Sequence, residues 1–73
     1  MATIEDIRDI VNKAIPGVGR GITDYAIKKL GIEKSSGLPE DLKNTAQEII
    51  KHIQTLYGTQ KSEAVKSELL AFL

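Results

Sequence analysis

The residues of this chain best suited to chemistry form one short stretch, I-P-G-V-G-R-G-I-T, from Ile15 to Thr23. Its alternating glycines allow positive φ and carry no Cβ, so the main chain there can come close to a ligand. If a helix starts inside the stretch, the amides of Gly17 to Gly21 stand at its positive end, where unpaired donors suit a phosphate oxygen. Arg20 lies within the stretch and Lys13 shortly before it, and both add positive charge, with Lys28 further along. From Lys13 to Lys34 there are five basic and two acidic residues, against a net charge of minus two before and minus one after. The glycine spacing is not a dinucleotide-binding fingerprint, because no strand precedes it and no βαβ unit fits. Nor is it a Walker loop, since the Lys-Ser/Thr pair is absent.

Other candidate chemistry is thinner. His52 is the only histidine, and Glu48 stands one turn before it, a spacing able to hold a metal or tune an imidazole. Two ligands do not close a site, so no metal is expected and a solvated pair is the plainer reading. Tyr25 and Tyr57 fall on apolar stripes, which favours core packing with the hydroxyl at the rim over base stacking. Ser35 and Ser36 stand in a turn with no base beside them, so neither reads as a nucleophile. With no paired carboxylates and no nucleophile-base set, the sequence predicts neither an enzyme nor a cofactor.

The elements that must position these residues are helical. Apolar residues recur with helical spacing throughout, and no stretch alternates with a period of two. The pattern predicts a compact four-helix, all-α single domain with short loops. The expected helices span about 3–15, 20–30, 39–57 and 61–72. Thr3 is the expected N-cap of the first, with Glu5 and Asp6 favouring its positive end. Ile4, Ile7, Val11, Ala14 and Ile15 form its apolar stripe, and Pro16 ends it. In the second helix Ile22, Tyr25, Ala26 and Leu30 are expected to share the inward face, with Asp24 paired to Lys28. Gly31 followed by Ile32 reads as its stop. Pro39 suits the first position of the third helix, whose stripe runs Leu42, Ala46, Ile49, Ile50, Ile53, Leu56 and Tyr57. Gly58 is its expected cap, and the fourth helix is expected to bury Val65, Leu69 and Phe72.

Ile15-Pro16-Gly17-Val18-Gly19 and the residues around it resemble the helix-hairpin-helix motif of nucleic-acid-binding proteins, over about twenty residues from Val11 to Leu30. The motif joins two helices through an apolar residue, a proline and a Gly-apolar-Gly turn. Six positions after the first glycine, where the family usually has alanine, this chain has Thr23. The resemblance implies that Pro16, Gly17, Val18 and Gly19 shape a hairpin whose amides bind sugar-phosphate backbone. A weaker second copy runs from Leu56 to Ala64, with Gly58 in the place of Gly17 and Ala64 in that of Thr23. Tyr57 and Gln60 replace its proline and second glycine, and Lys61 remains as a possible contact. A four-helix chain of this length is also similar to the acyl carrier proteins, but their Asp-Ser-Leu is absent and Ser36 is followed by Gly37.

Composition limits the partners. The 73 residues carry 10 Lys+Arg and 10 Asp+Glu, so any attraction to a polyanion has to be local. Cysteine is absent, which excludes disulfides and thiolate metal sites. The apolar runs are far shorter than the ~18 residues of a membrane span. The start M-A-T-I-E-D-I-R-D-I lacks a basic segment followed by an apolar one, so a cytoplasmic chain is expected. Leu70 and Leu73 near the end, and Ile27 in the second helix, are candidates for an apolar interaction surface. Two functions therefore compete. One is DNA or RNA backbone binding through Lys13, Gly17, Val18, Gly19, Arg20, Gly21 and Lys61. The other is contact with a protein partner or a second copy through Ile27, Leu70 and Leu73, the glycines then serving only as a turn.

Overall fold

Local chemistry sets the helix ends. The computed structural model describes residues 2–73, and among the described residues the chain forms four α-helices and no strand. They are α1 (Ile4–Ala14), α2 (Gly19–Leu30), α3 (Pro39–Tyr57) and α4 (Thr59–Phe72). The all-α, four-helix class expected from the apolar spacing is the class observed. Thr3 N–H donates to the Asp6 carboxylate at 2.9 Å, the acidic arm of a capping box that opens α1. At the end of α2, Gly31 adopts φ 71° and its N–H donates to the Lys28 carbonyl, while Ile32 N–H donates to that of Ile27 at 2.9 Å. These two bonds make a Schellman stop. Pro39 occupies the first turn of α3, where its missing N–H costs nothing. Gly58 alone, at φ 90°, joins α3 to α4.

Two starts differ from expectation. Helix α2 begins at Gly19, because Gly19 N–H already donates to the Ile15 carbonyl at 2.8 Å and carries the chain straight into helix. Helix α4 begins at Thr59 rather than near Lys61, since the one-residue turn leaves no room for a longer link.

The core lies where the four helices meet. Ile4, Ile7 and Val11 from α1, Ile49 and Ile53 from α3, and Val65 and Leu69 from α4 have no exposed surface. Ile15, Ile22, Ala26, Ile27, Leu42 and Ala46 complete it. Each large aliphatic so buried contributes roughly 1.5–3 kcal/mol relative to exposure. The radius of gyration, 10.7 Å, is close to the ~11 Å expected for a compact chain of this length. The loop before α3 is tied back to α1, with Ile4 N–H donating to the Ser36 carbonyl at 3.0 Å.

The inward face of α2 corrects the sequence reading. It consists of Gly19, Ile22, Thr23, Ala26 and Ile27. Ile27 is only 5% exposed, so it belongs to the core and to no interaction surface. Tyr25 and Leu30, expected inside, are 51% and 40% exposed. The cause is Gly19. A Cβ there would lie 2.4 Å from Asn12 Cα, Asn12 N and the Val11 carbonyl oxygen, so α2 rests on the backbone of α1. That contact turns the Gly19–Thr23–Ala26 side of α2 inward and carries Ile27, one turn after Thr23, in with it. Thr23 is fully buried and its hydroxyl donates to the Gly19 carbonyl at 3.0 Å. Asp24 faces Arg8 of α1 instead of Lys28, with a Nε–Oδ1 contact of 3.1 Å and a hydrogen bond of 3.2 Å. Leu56 and Tyr57 are exposed because α3 outruns the core.

Candidate nucleic-acid interface

The turn between α1 and α2 is built from the residues the sequence singles out. Pro16, Gly17, Val18, Arg20 and Gly21 are exposed, while Gly19 is buried. Gly17 supplies φ 83°, a backbone region an L side chain enters only at a cost. The expectation that all amides from Gly17 to Gly21 are free needs correction. Val18 N–H and Gly19 N–H both donate to the Ile15 carbonyl, at 3.2 and 2.8 Å. Gly19 serves helix packing and offers no donor outward, and Val18 offers only its half-exposed side chain. The amides of Gly17, Arg20 and Gly21 make no hydrogen bond among the described residues. Three unpaired donors therefore remain at the positive end of α2, and a Cβ at Gly17 or Gly21 would meet nothing within 4 Å.

The second glycine turn lies at the same end of the molecule. A shallow hollow beside the first turn is lined by Gly17, Val18, Gly21, Ile22, Tyr25, His52 and Leu56, and Leu56 is two residues before Gly58. Helices α2 and α4 thus begin at the same end of the molecule, without touching one another. Neither has an acidic residue in its first turn, and Arg20 and Lys61 sit there instead. Helices α1 and α3 begin with Glu5 and Asp6 and with Glu40 and Asp41. Two positive helix ends without acidic first turns therefore lie at one end of the molecule, where anions are favoured.

The charged residues divide. Arg20 and Lys61 have no ion pair among the described residues. Lys13, in the last turn of α1, lines a groove with Ile10, Ala14 and Glu68, whose carboxylate reduces its field. Lys29 is taken by Glu48 at 2.6 Å. The hydrogen bond from Lys29 holds the Glu48 carboxyl below its ordinary range, and the same bond raises Lys29. Glu48 therefore does not serve His52. The His52 ring lies against Tyr25, centroids 5.0 Å apart and tilted by 34°. Among the described residues no group of three His, Cys, Asp or Glu is arranged to hold a metal ion.

This aromatic pair is the feature that the sequence reading missed. The spacing from Ile22 predicts Tyr25 in the core, whereas it stands exposed beside the glycine turn with Leu56 and Val18 around it. The only signal for it was the close approach that Gly19 allows, which sets the phase of α2. Ser36, in the loop before α3, donates its hydroxyl to the Asp41 carboxylate at 2.5 Å and acts as a structural brace.

Leu70 and Leu73 are 62% and 51% exposed and line an apolar hollow with Ala2, Pro39, Leu42 and Phe72 at the far end of α4. No helix among the described residues is long and apolar enough to cross a membrane. Comparison of the chain with protein-family models, with curated proteins and with solved structures finds no match.

Proposed function

We propose that the chain is a small non-enzymatic module that binds nucleic acid through its sugar-phosphate backbone, in the manner of a helix-hairpin-helix. One observation carries the reading. Two helix N-termini, both without first-turn acids and both led by a positive-φ glycine, stand at one end of the molecule. The free amides of Gly17, Arg20 and Gly21 suit the oxygens of one phosphate, and the start of α4 with Lys61 suits a second on the same strand or its complement. Such contacts position a backbone and read no bases, so little sequence preference follows. The formal neutrality of the chain limits the affinity, because the overall field does not draw a polyanion.

The test is a salt titration with a duplex of mixed sequence, followed by anisotropy. Two to four phosphate contacts give a log-log slope of about −2 to −4. In a parallel NMR titration the amide signals of Gly17, Arg20 and Gly21 move first, and Arg20→Glu weakens binding without changing helix content. Absence of any shift at low salt with a long duplex or a single strand overturns the proposal.

A further inference from the structure

The shallow hollow beside the first glycine turn is built from two helices. Helix α2 supplies Val18 at its N-cap and then Gly21, Ile22 and Tyr25, one stripe at spacings of three and four. Helix α3 supplies His52 and Leu56, one turn apart. The volume, about 380 Å3, lies near the ~300 Å3 at which small-molecule sites begin. Val18, Tyr25 and Leu56 are exposed around it, while Ile22 is buried. Single apolar side chains on a surface need no explanation, but three converging on one concavity mark a place where something packs. A Cβ built on Gly21 meets nothing within 4 Å, so the space beside α2 is open. The Tyr25 ring rests against His52, centroids 5.0 Å apart, and that contact steadies it. None of the lining residues is acidic.

An occupant of this hollow meets two kinds of surface at once. Tyr25, Val18 and Leu56 call for a flat or apolar face. Gly17 and Gly21 line the same hollow, and their amides are unpaired at the positive end of α2, which calls for an anion. An apolar side chain of a protein partner would fill the hollow and leave those donors unmet. A nucleotide has both parts, a base with two π-faces and a phosphate beside it. In a duplex each base face is covered by its stacked neighbours, and only unpaired bases are free to stack on an aromatic side chain. We infer that the hollow takes one unpaired base of a single strand, its face against Tyr25, with the adjoining phosphate on the amides of Gly17, Arg20 and Gly21. The inference rests on the phosphate-binding reading above and adds a substrate class to it: strands with unpaired bases, in preference to continuous duplex. Stacking is tolerant of sequence, because every base has a π-face.

The experiment separates bases from phosphates with three probes: a short DNA single strand of mixed sequence, the same strand with every base removed, and the matching duplex. Anisotropy is expected to show the intact strand binding at least about fivefold more tightly than the abasic one, the effect of one stacked base. Tyr25→Ala is expected to lose about fivefold or more on the intact strand and less than about twofold on the abasic strand and the duplex. Tyr25→Phe, which keeps the ring, retains the binding. The chain has two tyrosines and no tryptophan, so in a Tyr57→Phe background fluorescence reports on Tyr25 alone. That signal is expected to be quenched by the intact strand and not by the abasic one. Circular dichroism verifies the fold of each variant. Equal affinity for intact and abasic strands, or a Tyr25→Ala variant that loses nothing or loses equally on both, overturns the base site and leaves the phosphate reading standing. Failure to bind any of the three probes at low salt overturns both.

Discussion

Replacing Gly19 by alanine tests the packing logic of the first hairpin most directly. The added Cβ would lie 2.4 Å from three backbone atoms, Asn12 Cα, Asn12 N and the Val11 carbonyl oxygen. Ordinary contact begins near 3.4 Å, and since backbone cannot rotate away, α1 and α2 must part by about 1 Å. Forcing extra volume into a closed contact costs about 1–3 kcal/mol, and this site lies at the upper end because no side chain can yield. Alanine recovers up to about 1 kcal/mol of helix propensity in compensation, less at the first position of a helix. The net loss is about 2 kcal/mol, or a melting temperature lower by roughly 8–16 °C for a domain of this size. Urea unfolding followed by circular dichroism measures it, with Gly21→Ala as the internal control. At Gly21 a Cβ meets nothing within 4 Å and φ is not positive, so that variant gains about 0.5 kcal/mol. A Gly19→Ala protein that melts within about 2 °C of the unaltered chain would refute the packing argument.

Further outcomes follow from the same contacts. Gly21→Ala, although more stable, is expected to bind a DNA duplex more weakly, because its Cβ stands where backbone must approach phosphate; anisotropy at low salt reads this. The Thr45 hydroxyl is fully buried with no hydrogen-bond partner among the described residues. Thr45→Val therefore gains about 1 kcal/mol, visible as a rise in melting temperature of roughly 4–8 °C. The Lys29–Glu48 pair gives a pH signature. Glu48 is lowered from its ordinary 4.5, so its contribution is complete above that value and fades as pH falls through the lowered one. Lys29 is raised from 10.5, so its share is complete below that value and fades at higher pH. Thermal melts of Glu48→Gln and the unaltered chain are thus expected to differ near neutrality and to converge in strong acid.

Much of the fold was legible because its punctuation is local. Pro16, Gly31, Pro39 and Gly58 end or begin helices by their own backbone chemistry, and α3 has the ends that Pro39 and Gly58 predict. What could not be read is how helices turn about their own axes. Ile27 and Tyr25 exchange places relative to expectation because the phase of α2 depends on how near Gly19 lets it come to α1. Leu56 and Tyr57 continue the apolar stripe of α3, yet the helix extends past the residues able to cover them. At the candidate site, the glycines and Arg20 could be named from sequence, but the loss of the Val18 and Gly19 donors to the Ile15 carbonyl could not. Nor could the acidic neighbour of Lys13, since only the packing of α4 on α1 brings Glu68 to the same groove.

The brevity of the two glycine turns bears on how quickly the chain reaches its native state. Each turn closes its helix pair over a short contour, so little loop entropy is lost before side chains meet. Most contacts are then near neighbours in sequence, the situation in which small helical proteins fold within microseconds to milliseconds. The residues after Gly31 and before Pro39 make the one longer connection, and the search it imposes is the docking of two preformed pairs. Lengthening the link at Gly58 would accordingly slow folding more than a similar insertion near Lys34.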